Sequence, residues 1–259
     1  MSLQFTASEA LRLVAFDLDD TLAPSKMPLD TEMAAALAKL LNRYEAAIIS
    51  GGQLSQFQSQ VLSRLADQPA PKHTLHLLPT CGTQYYRMEP GSDPDKLVRV
   101  YRRDLAADLR RQTVETIETT ARELGFWESS PWGNIIEDRG TQVTFSALGQ
   151  QAPLAAKRAW DSDGSKKAAL VQALGKQLPQ LEVRSGGATS VDVTARGVDK
   201  AYGIRSLMES TGYTPLNLVF LGDRLDERGN DYPVLATGVP CQAVSGPADT
   251  LAWLRRLLA

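Results

Sequence analysis

Short apolar runs alternate with stretches of helical spacing in the first third of the chain. Leu11-Arg-Leu-Val-Ala-Phe16 carries no charge beyond Arg12, the pattern of a strand buried on both faces of a parallel sheet. Met33 to Leu41 has helical spacing and follows Asp30 and Thr31, residues suited to capping a helix start. Ala46-Ala-Ile-Ile-Ser50 reads as a second buried strand, Leu54 to Leu65 as a helix and Leu75-His-Leu-Leu78 as a third strand. Strands alternating with helices predict a parallel sheet covered on its faces.

Beyond Arg87 the texture changes. Glu89-Pro-Gly-Ser-Asp-Pro-Asp95 is turn-rich, and a long helix is predicted from Arg103 to Leu124, stopped by Gly125. Asn134 to Glu137 and Thr141 to Phe145 read as strands around the turn Asp138-Arg-Gly140, and Lys166 to Leu178 as a helix. Leu181 to Arg184 and Ser190 to Val193 form another strand pair. Long helices beside antiparallel hairpins describe an α+β unit. From Asp199 the alternation returns, with a helix to Met208, the strand Leu216 to Leu221, a short strand near Cys241 and a terminal helix. The fold class expected is therefore α/β: a doubly wound parallel-sheet core, residues 1–86 and 196–259, interrupted by an inserted α+β cap, residues 87–195.

Composition narrows the function classes. The 259 residues carry 28 Lys+Arg against 30 Asp+Glu, so the basic excess of a general nucleic-acid binder is missing. No apolar run reaches membrane-spanning length and no secretory h-region opens the chain, which points to a cytosolic protein without membrane partners. Cys81 and Cys241 lie too far apart in sequence for a metal-binding motif or a disulfide framework, and His73 and His76 match no metal spacing. The pattern says nothing about oligomeric state.

In an open parallel sheet, ligands bind outside the carboxyl ends of the strands. The first strand ends in Asp17-Leu-Asp-Asp-Thr21, the second in Ser50-Gly-Gly52, and the strand near Val219 in Gly222-Asp223. Lys200 opens the first helix after the insertion. In extended backbone Asp17 and Asp19 point to one side, where crowded carboxylates favour a hard cation, Mg²⁺ above all. Asp223 can complete the coordination from another strand. Ser50 with the main-chain N–H groups of Gly51 and Gly52 makes an anion pocket, and Lys200 adds a positive charge. A divalent metal, an anion pocket and a free carboxylate together suit phosphoryl transfer to or from a small phosphorylated molecule.

Asp17-Leu-Asp-Asp-Thr21 resembles the first motif of the haloacid dehalogenase superfamily. Ser50, Lys200, and Gly222-Asp223 with Asn230-Asp231 follow in the order of its other three. The resemblance implies that Asp17 attacks phosphorus to give an aspartyl-phosphate and that Asp19 protonates the leaving group. It implies Mg²⁺ held by Asp17, Asp223 and the main-chain carbonyl of Asp19, with Asp231 behind the metal and Asn230 toward the substrate. Ser50, Gly51 and Lys200 would steady the phosphoryl group. Ser185 to Val193, Gly197 to Lys200 and Ile136 to Arg139 are further similar to the eukaryotic-type phosphomannomutases. That likeness implies that Arg139, Ser190 and Asp192 bind the distal end of the substrate and that Lys26 replaces a family arginine.

Departures accompany the likeness. Trp132 and Gln150 stand where the mutase cap presents arginines, and Ser50-Gly-Gly52 is closer to the hydrolase form of the second motif. Fewer cations weaken the hold on a bisphosphate, so the expectation is a Mg²⁺-dependent phosphohydrolase of a sugar phosphate. The alternatives are a phosphosugar mutase and a non-catalytic phospholigand-binding protein; the second would not need the nucleophile Asp17.

Overall fold

The computed structural model describes residues 10–91 and 96–259; of the turn-rich 89–95 stretch, 92–95 lie outside the described residues. In chain order the strands are β1 (Leu13–Asp17), β2 (Glu45–Ile49), β3 (Leu75–Leu78), β4 (Gln84–Met88), β5 (Leu97–Arg102), β6 (Ile136–Asp138), β7 (Gln142–Ser146), β8 (Leu181–Ser185), β9 (Ser190–Ala195), β10 (Leu218–Gly222) and β11 (Cys241–Ala243). The helices are α1 (Thr31–Leu41), α2 (Leu54–Phe57), α3 (Ser63–Leu65), α4 (Pro79–Gly82), α5 (Ala107–Glu123), α6 (Leu154–Trp160), α7 (Ser165–Gln177), α8 (Lys200–Thr211) and α9 (Pro247–Leu258). A π-helical turn, Gln58–Leu62, joins α2 to α3. Among the described residues no helix is long and apolar enough to cross a membrane.

The chain forms two compact units, Met1–Arg102 with Asp199–Ala259, and Arg103–Val198. The first is built on a seven-stranded sheet in the order β11-β10-β1-β2-β3-β4-β5. The strands from β11 to β3 are parallel, whereas β4 and β5 close the edge as an antiparallel hairpin. Arg87 and Met88 of β4 and residues 97–102 of β5, expected in the insertion, therefore belong to this sheet, and the second unit begins at Arg103. β5 escaped notice because only Leu97, Val98 and Tyr101 are even half-buried, so it lacks the continuous apolar run of a central strand.

Alternation along the strands sorts the core into two layers. Val14, Phe16, Ala46, Ile48, Val219 and Leu221 pack with α1 and α9 on one face. Leu13, Ala15, Ala47, Ile49, Leu218 and Phe220 pack with Ile204 and Leu207 of α8 on the other. α1 begins where expected, the Asp30 carboxylate accepting the Met33 N–H at 2.7 Å. His76 is buried between Glu45 (2.8 Å) and the Tyr85 hydroxyl (2.6 Å). The His76 hydrogen bond holds the Glu45 carboxyl below its ordinary pKa.

The second unit is a four-stranded antiparallel sheet, β6-β7-β9-β8. Val143, Phe145, Val191 and Val193 point into a core shared with Ile117 and Ala121 of α5 and Leu170 and Leu174 of α7. The opposite face is polar: Gln142, Thr144 and Ser146 of β7 pair across from Thr194, Asp192 and Ser190 of β9.

One backbone device in the first unit governs its chemistry. After β3, the short segment α4 is a left-handed turn in place of a regular helix: Thr80, Cys81 and Gly82 are successively left-handed, with φ of 50°, 55° and 82°. Such a conformation in β-branched Thr80 costs on the order of 1–3 kcal/mol and needs compensation. Gly82 and Gly203 of α8 supply it by close approach: a Cβ on Gly82 would lie 2.4 Å from the Gly203 Cα. A Cβ on Gly203 would lie 2.3 Å from Ile49 Cδ1 and 2.8 Å from the Cys81 carbonyl oxygen. Gly203→Ala should therefore destabilise the protein by roughly 1–3 kcal/mol through overpacking. Exposed Glu209→Ala on the same helix should stay within about 0.5 kcal/mol of wild type. Urea denaturation followed by circular dichroism checks both; equal small effects would mean the contact tolerates a methyl group.

Candidate active site

The ends of β1, β2 and β10 lie side by side, since Phe16 pairs with Leu221 and Asp17 with Ile49. This register brings Asp17, Ser50 and Asp223 to one sheet edge. Lys200 joins them as the first residue of α8, whose start is capped by Asp199 accepting the Tyr202 N–H at 2.8 Å. The Lys200 Nζ lies 2.6 Å from Asp17 Oδ1 and 2.6 Å from Asp231 Oδ1, with all three side chains buried. Asp231 also accepts the Arg224 N–H at 3.1 Å, so its carboxylate is tied at both oxygens. Thr21 fixes Asp223 from two sides: its Oγ1 accepts the Asp223 N–H at 3.1 Å and donates to Asp223 Oδ1 at 3.3 Å.

The electrostatics follow from one ammonium facing several acids. Burial raises the Asp17 pKa to about 8 against the opposing pull of Lys200, and the neighbouring Asp231 charge adds to the rise. Asp223 is raised too, by burial and then by Asp231. Lys200 resists the burial that would deprotonate it, because Asp17 and Asp231 together hold its pKa above the ordinary lysine value. Oxygen atoms of Asp17, Asp223 and Asp231 all lie within 4.8 Å of one another. When ionised, three carboxylates against one ammonium leave two negative charges in a largely dry pocket. That donor set fits a hard divalent cation such as Mg²⁺, whose charge would relieve the repulsion raising Asp17 and Asp223.

Asp19 behaves differently from the expectation of a crowded Asp17–Asp19 pair. β1 ends at Asp17, so the alternation that would align the two side chains stops there. Asp19 adds no carboxylate to the acidic cluster. Its oxygens instead accept from the Lys26 N–H (2.7 Å), Gln56 Nε2 (2.8 Å) and Gln60 Nε2 (3.4 Å). Lys26 is exposed, and its Nζ reaches Gln56 Oε1 at 2.9 Å and Asp19 at 3.7 Å. Gln56 and Gln60 are the neighbours that sequence reasoning missed; their four-residue spacing on a helix was the available signal.

The anion pocket also differs in detail. The Gly52 N–H points back to Ser50 Oγ at 3.1 Å instead of outward. The carbonyls of Ser50 and Gly52 accept from the Cys81 and Thr80 N–H groups at 2.9 and 3.0 Å, which anchors the loop on the left-handed turn. Gly51 lies on this loop, and Asn230 stands exposed beside Asp231 on the loop after β10. Asp226 of that loop pairs with Arg224 at 2.8 Å and holds the loop's shape.

The remaining expected residues lie in the second unit, on the polar sheet face or its turn. Asp192 Oδ1 accepts from Gln142 Nε2 and Thr144 Oγ1, each at 2.7 Å. Ser190 Oγ lies 3.2 Å from Ser146 Oγ, and Arg139 pairs with Glu137 at 2.7 Å. Trp132 is exposed, and the buried Gln150 Nε2 has no hydrogen-bond partner.

Comparison with known proteins agrees with this architecture. The ATP-bound IMP-nucleotidase of Plasmodium falciparum superposes with a TM-score of 0.75 at 16% identity, covering 98% of this chain and 61% of that one. A trehalose-6-phosphate phosphatase related protein gives 0.56 at 14% identity, covering 95% and 96%. Fold and acidic strand ends together define a protein of the haloacid dehalogenase superfamily. The family model for eukaryotic phosphomannomutase matches residues 128–259, just over half of the chain. Phosphomannomutase of Saccharomyces cerevisiae is 26% identical over 255 residues, covering 95% of this chain and 93% of that protein. Phosphomannomutase 1 of Homo sapiens is 25% identical over 252 residues, covering 95% and 91%. The chain belongs to the eukaryotic phosphomannomutase family.

Removing the shared ammonium should expose the charge balance. Lys200→Met leaves Asp17 and Asp231 without their counter-ion and should lower stability by roughly 3–5 kcal/mol at neutral pH. Asp17→Asn leaves Lys200 paired with Asp231 alone, so its denaturation midpoint without metal should equal or exceed wild type. A midpoint for Asp17→Asn well below wild type would contradict the excess of negative charge.

Proposed function

We propose that the protein is a Mg²⁺-dependent phosphohydrolase acting on a sugar phosphate through an aspartyl-phosphate at Asp17. The buried Asp17–Lys200–Asp231 cluster carries this reading, since it holds a carboxylate at the sheet edge with a fixed cation beside it. A divalent ion bound by the carboxylates of Asp17 and Asp223 and the main-chain carbonyl of Asp19 would offset the charge of an incoming phosphate.

Asp17 attacks phosphorus, and the bond to the leaving oxygen breaks as Asp19 delivers a proton to it. Lys200 and Ser50 steady the transferring phosphoryl oxygens. Asp19, now a carboxylate, takes a proton from water as that water attacks phospho-Asp17; the bond from phosphorus to Asp17 breaks, releasing phosphate and restoring the Asp17 carboxylate and the protonated Asp19. Lys26, Gly51 and Asn230 are the proposed contacts of the phosphate end; Arg139, Ser190 and Asp192 are proposed to select the sugar.

The choice of water over a sugar hydroxyl as second acceptor is supported by the polar sheet face. Arg139 pairs with Glu137, Arg184 of β8, in register with Asp192, pairs with Glu182 at 3.5 Å, and Trp132 and Gln150 add no cation. A mutase must hold a bisphosphate while it turns over, which favours surplus positive charge. The second reading, a phosphosugar mutase, draws on family membership and on relatives that are phosphomannomutases.

The two readings part on products. With Mg²⁺ and mannose 1-phosphate, free phosphate should be the main product and mannose 6-phosphate negligible, even with a hexose bisphosphate activator. Faster appearance of mannose 6-phosphate than of phosphate would establish the mutase reading instead.

Chelation should abolish turnover and Mg²⁺ restore it, with Asp223→Ala raising the Mg²⁺ concentration needed for half activity. Turnover surviving exhaustive chelation would refute the metal requirement.

A further inference from the structure

Two glutamines outside the superfamily motifs converge on Asp19. Gln56 Nε2 donates to Asp19 Oδ2 at 2.8 Å while Gln56 Oε1 accepts from Lys26 Nζ at 2.9 Å. The amide cannot be reversed, because its oxygen would then face a carboxylate and its nitrogen an ammonium. It also lies directly over Gly52: a Cβ there would be 2.0 Å from Gln56 Oε1. Gln56 thus touches the acid, the nearby lysine and the phosphate loop at once.

Gln60 is 2% exposed and approaches from the π-helical turn. Its Nε2 donates to the Met27 carbonyl at 2.6 Å and to Asp19 Oδ1 at 3.4 Å, using both amide hydrogens. Its main-chain carbonyl accepts the Leu29 N–H at 2.9 Å. Gln60 therefore ties down the segment after Asp19 and reaches Asp19 itself. π-Helical turns inside α-helices recur at functional sites. Here the turn provides Gln60, four residues beyond Gln56.

We propose that Gln56 and Gln60 are positioning residues that form an amide clamp on the two carboxylate oxygens of Asp19 and set its aim for proton transfer. The inference rests on the proposed acid–base role of Asp19. The Lys26 ammonium stands 3.7 Å from Asp19 Oδ2, farther than either amide nitrogen, so the glutamines make the direct side-chain contacts that fix the carboxylate's direction.

The test compares Gln56→Leu, Gln60→Leu and Gln56→Glu with Asp19→Asn, using a hexose 6-phosphate and p-nitrophenyl phosphate as substrates. The sugar is a poor leaving group that needs a proton, whereas nitrophenolate departs with little help. Misplacing the acid should lower kcat on the hexose phosphate roughly ten- to hundred-fold, at least tenfold more than on the nitrophenyl ester. The KM for the nitrophenyl ester should move less than threefold, on the order of what an intact phosphate pocket allows. Gln56→Glu keeps the partner of Lys26 but replaces the donor to Asp19 by an acceptor, so it should show the same selectivity. Half-buried Gln56 also keeps the test open if Gln60→Leu fails to fold, which circular dichroism reports.

If Asp19→Asn is selective for the leaving group and the glutamine variants are not, the clamp is refuted while the acid role stands. If Asp19→Asn itself is indifferent to the leaving group, the acid role falls, and the clamp with it.

Discussion

A lysine ammonium buried to 1% exposure can persist only where opposite charge and hydrogen-bond acceptors meet it, and Lys200 finds both in Asp17 and Asp231. Much of the first unit follows from bringing that one group to the sheet edge. α8 must start at the carboxyl ends of β1 and β2, so it must press close to Ile49 and the turn after β3. Gly203 and Gly82 permit the approach, and the left-handed Thr80 and Cys81 form the surface that receives it. The same two residues hold the carbonyls of Gly52 and Ser50, so the turn that accommodates the helix also shapes the loop beside Asp17. Thr21 adds the last fixed point by clamping Asp223 from within the segment after β1.

Most of this frame was legible along the chain. Buried strands such as Leu13–Asp17 and Leu218–Gly222 are runs of apolar residues ended by an acid or followed by one, and the motif residues lie just past those ends. Asp30 and Asp199 mark helix starts by chemistry that any reading of caps detects. β5 was not legible, because a half-exposed edge strand carries neither a continuous apolar run nor a strict alternation. Thr80 and Cys81 carry no residue-type signal for positive φ; tertiary contact with α8 imposes it. Gln56 and Gln60 belong to no motif, and only the fold brings them against Asp19. Asp19, just past the end of β1, stays outside the acidic cluster and is met by Lys26, Gln56 and Gln60, contacts that period-two alternation does not foresee.

The separation of those two aspartates bears directly on what each can do. Asp17 is buried against a cation in a cluster with excess negative charge, which raises its pKa and makes a divalent ion welcome. Asp19 sits two residues on, 23% exposed at the side chain, held by amide and main-chain donors. Asp17 is set against a buried ammonium at 2.6 Å, whereas Asp19 is gripped by amide and main-chain donors with the exposed Lys26 ammonium farther off at 3.7 Å. On the proposed mechanism the nucleophile must be ionised when it attacks, so a bound divalent ion would have to offset the burial and the Asp231 charge that raise the Asp17 pKa, while Asp19 gains and loses a proton.

On the proposed mechanism phospho-Asp17 is common to hydrolysis and mutase transfer, so the first unit alone does not separate them. On that reading the difference comes from groups that favour a bound sugar hydroxyl or admit water, and the residues proposed to select the sugar lie on β9 and the turn after β6. There the charged groups already have partners: Arg139 with Glu137, and Asp192 with Gln142 and Thr144. A face so balanced attracts a second phosphate less strongly than one with unopposed arginines, yet its hydroxyls, amides and carboxylates can still meet a polyol. On the proposed reading, this charge balance is what would favour water over transfer to a second hydroxyl within a family of phosphomannomutases. The nucleophile and acid can stay in place while the grip on the bisphosphate weakens.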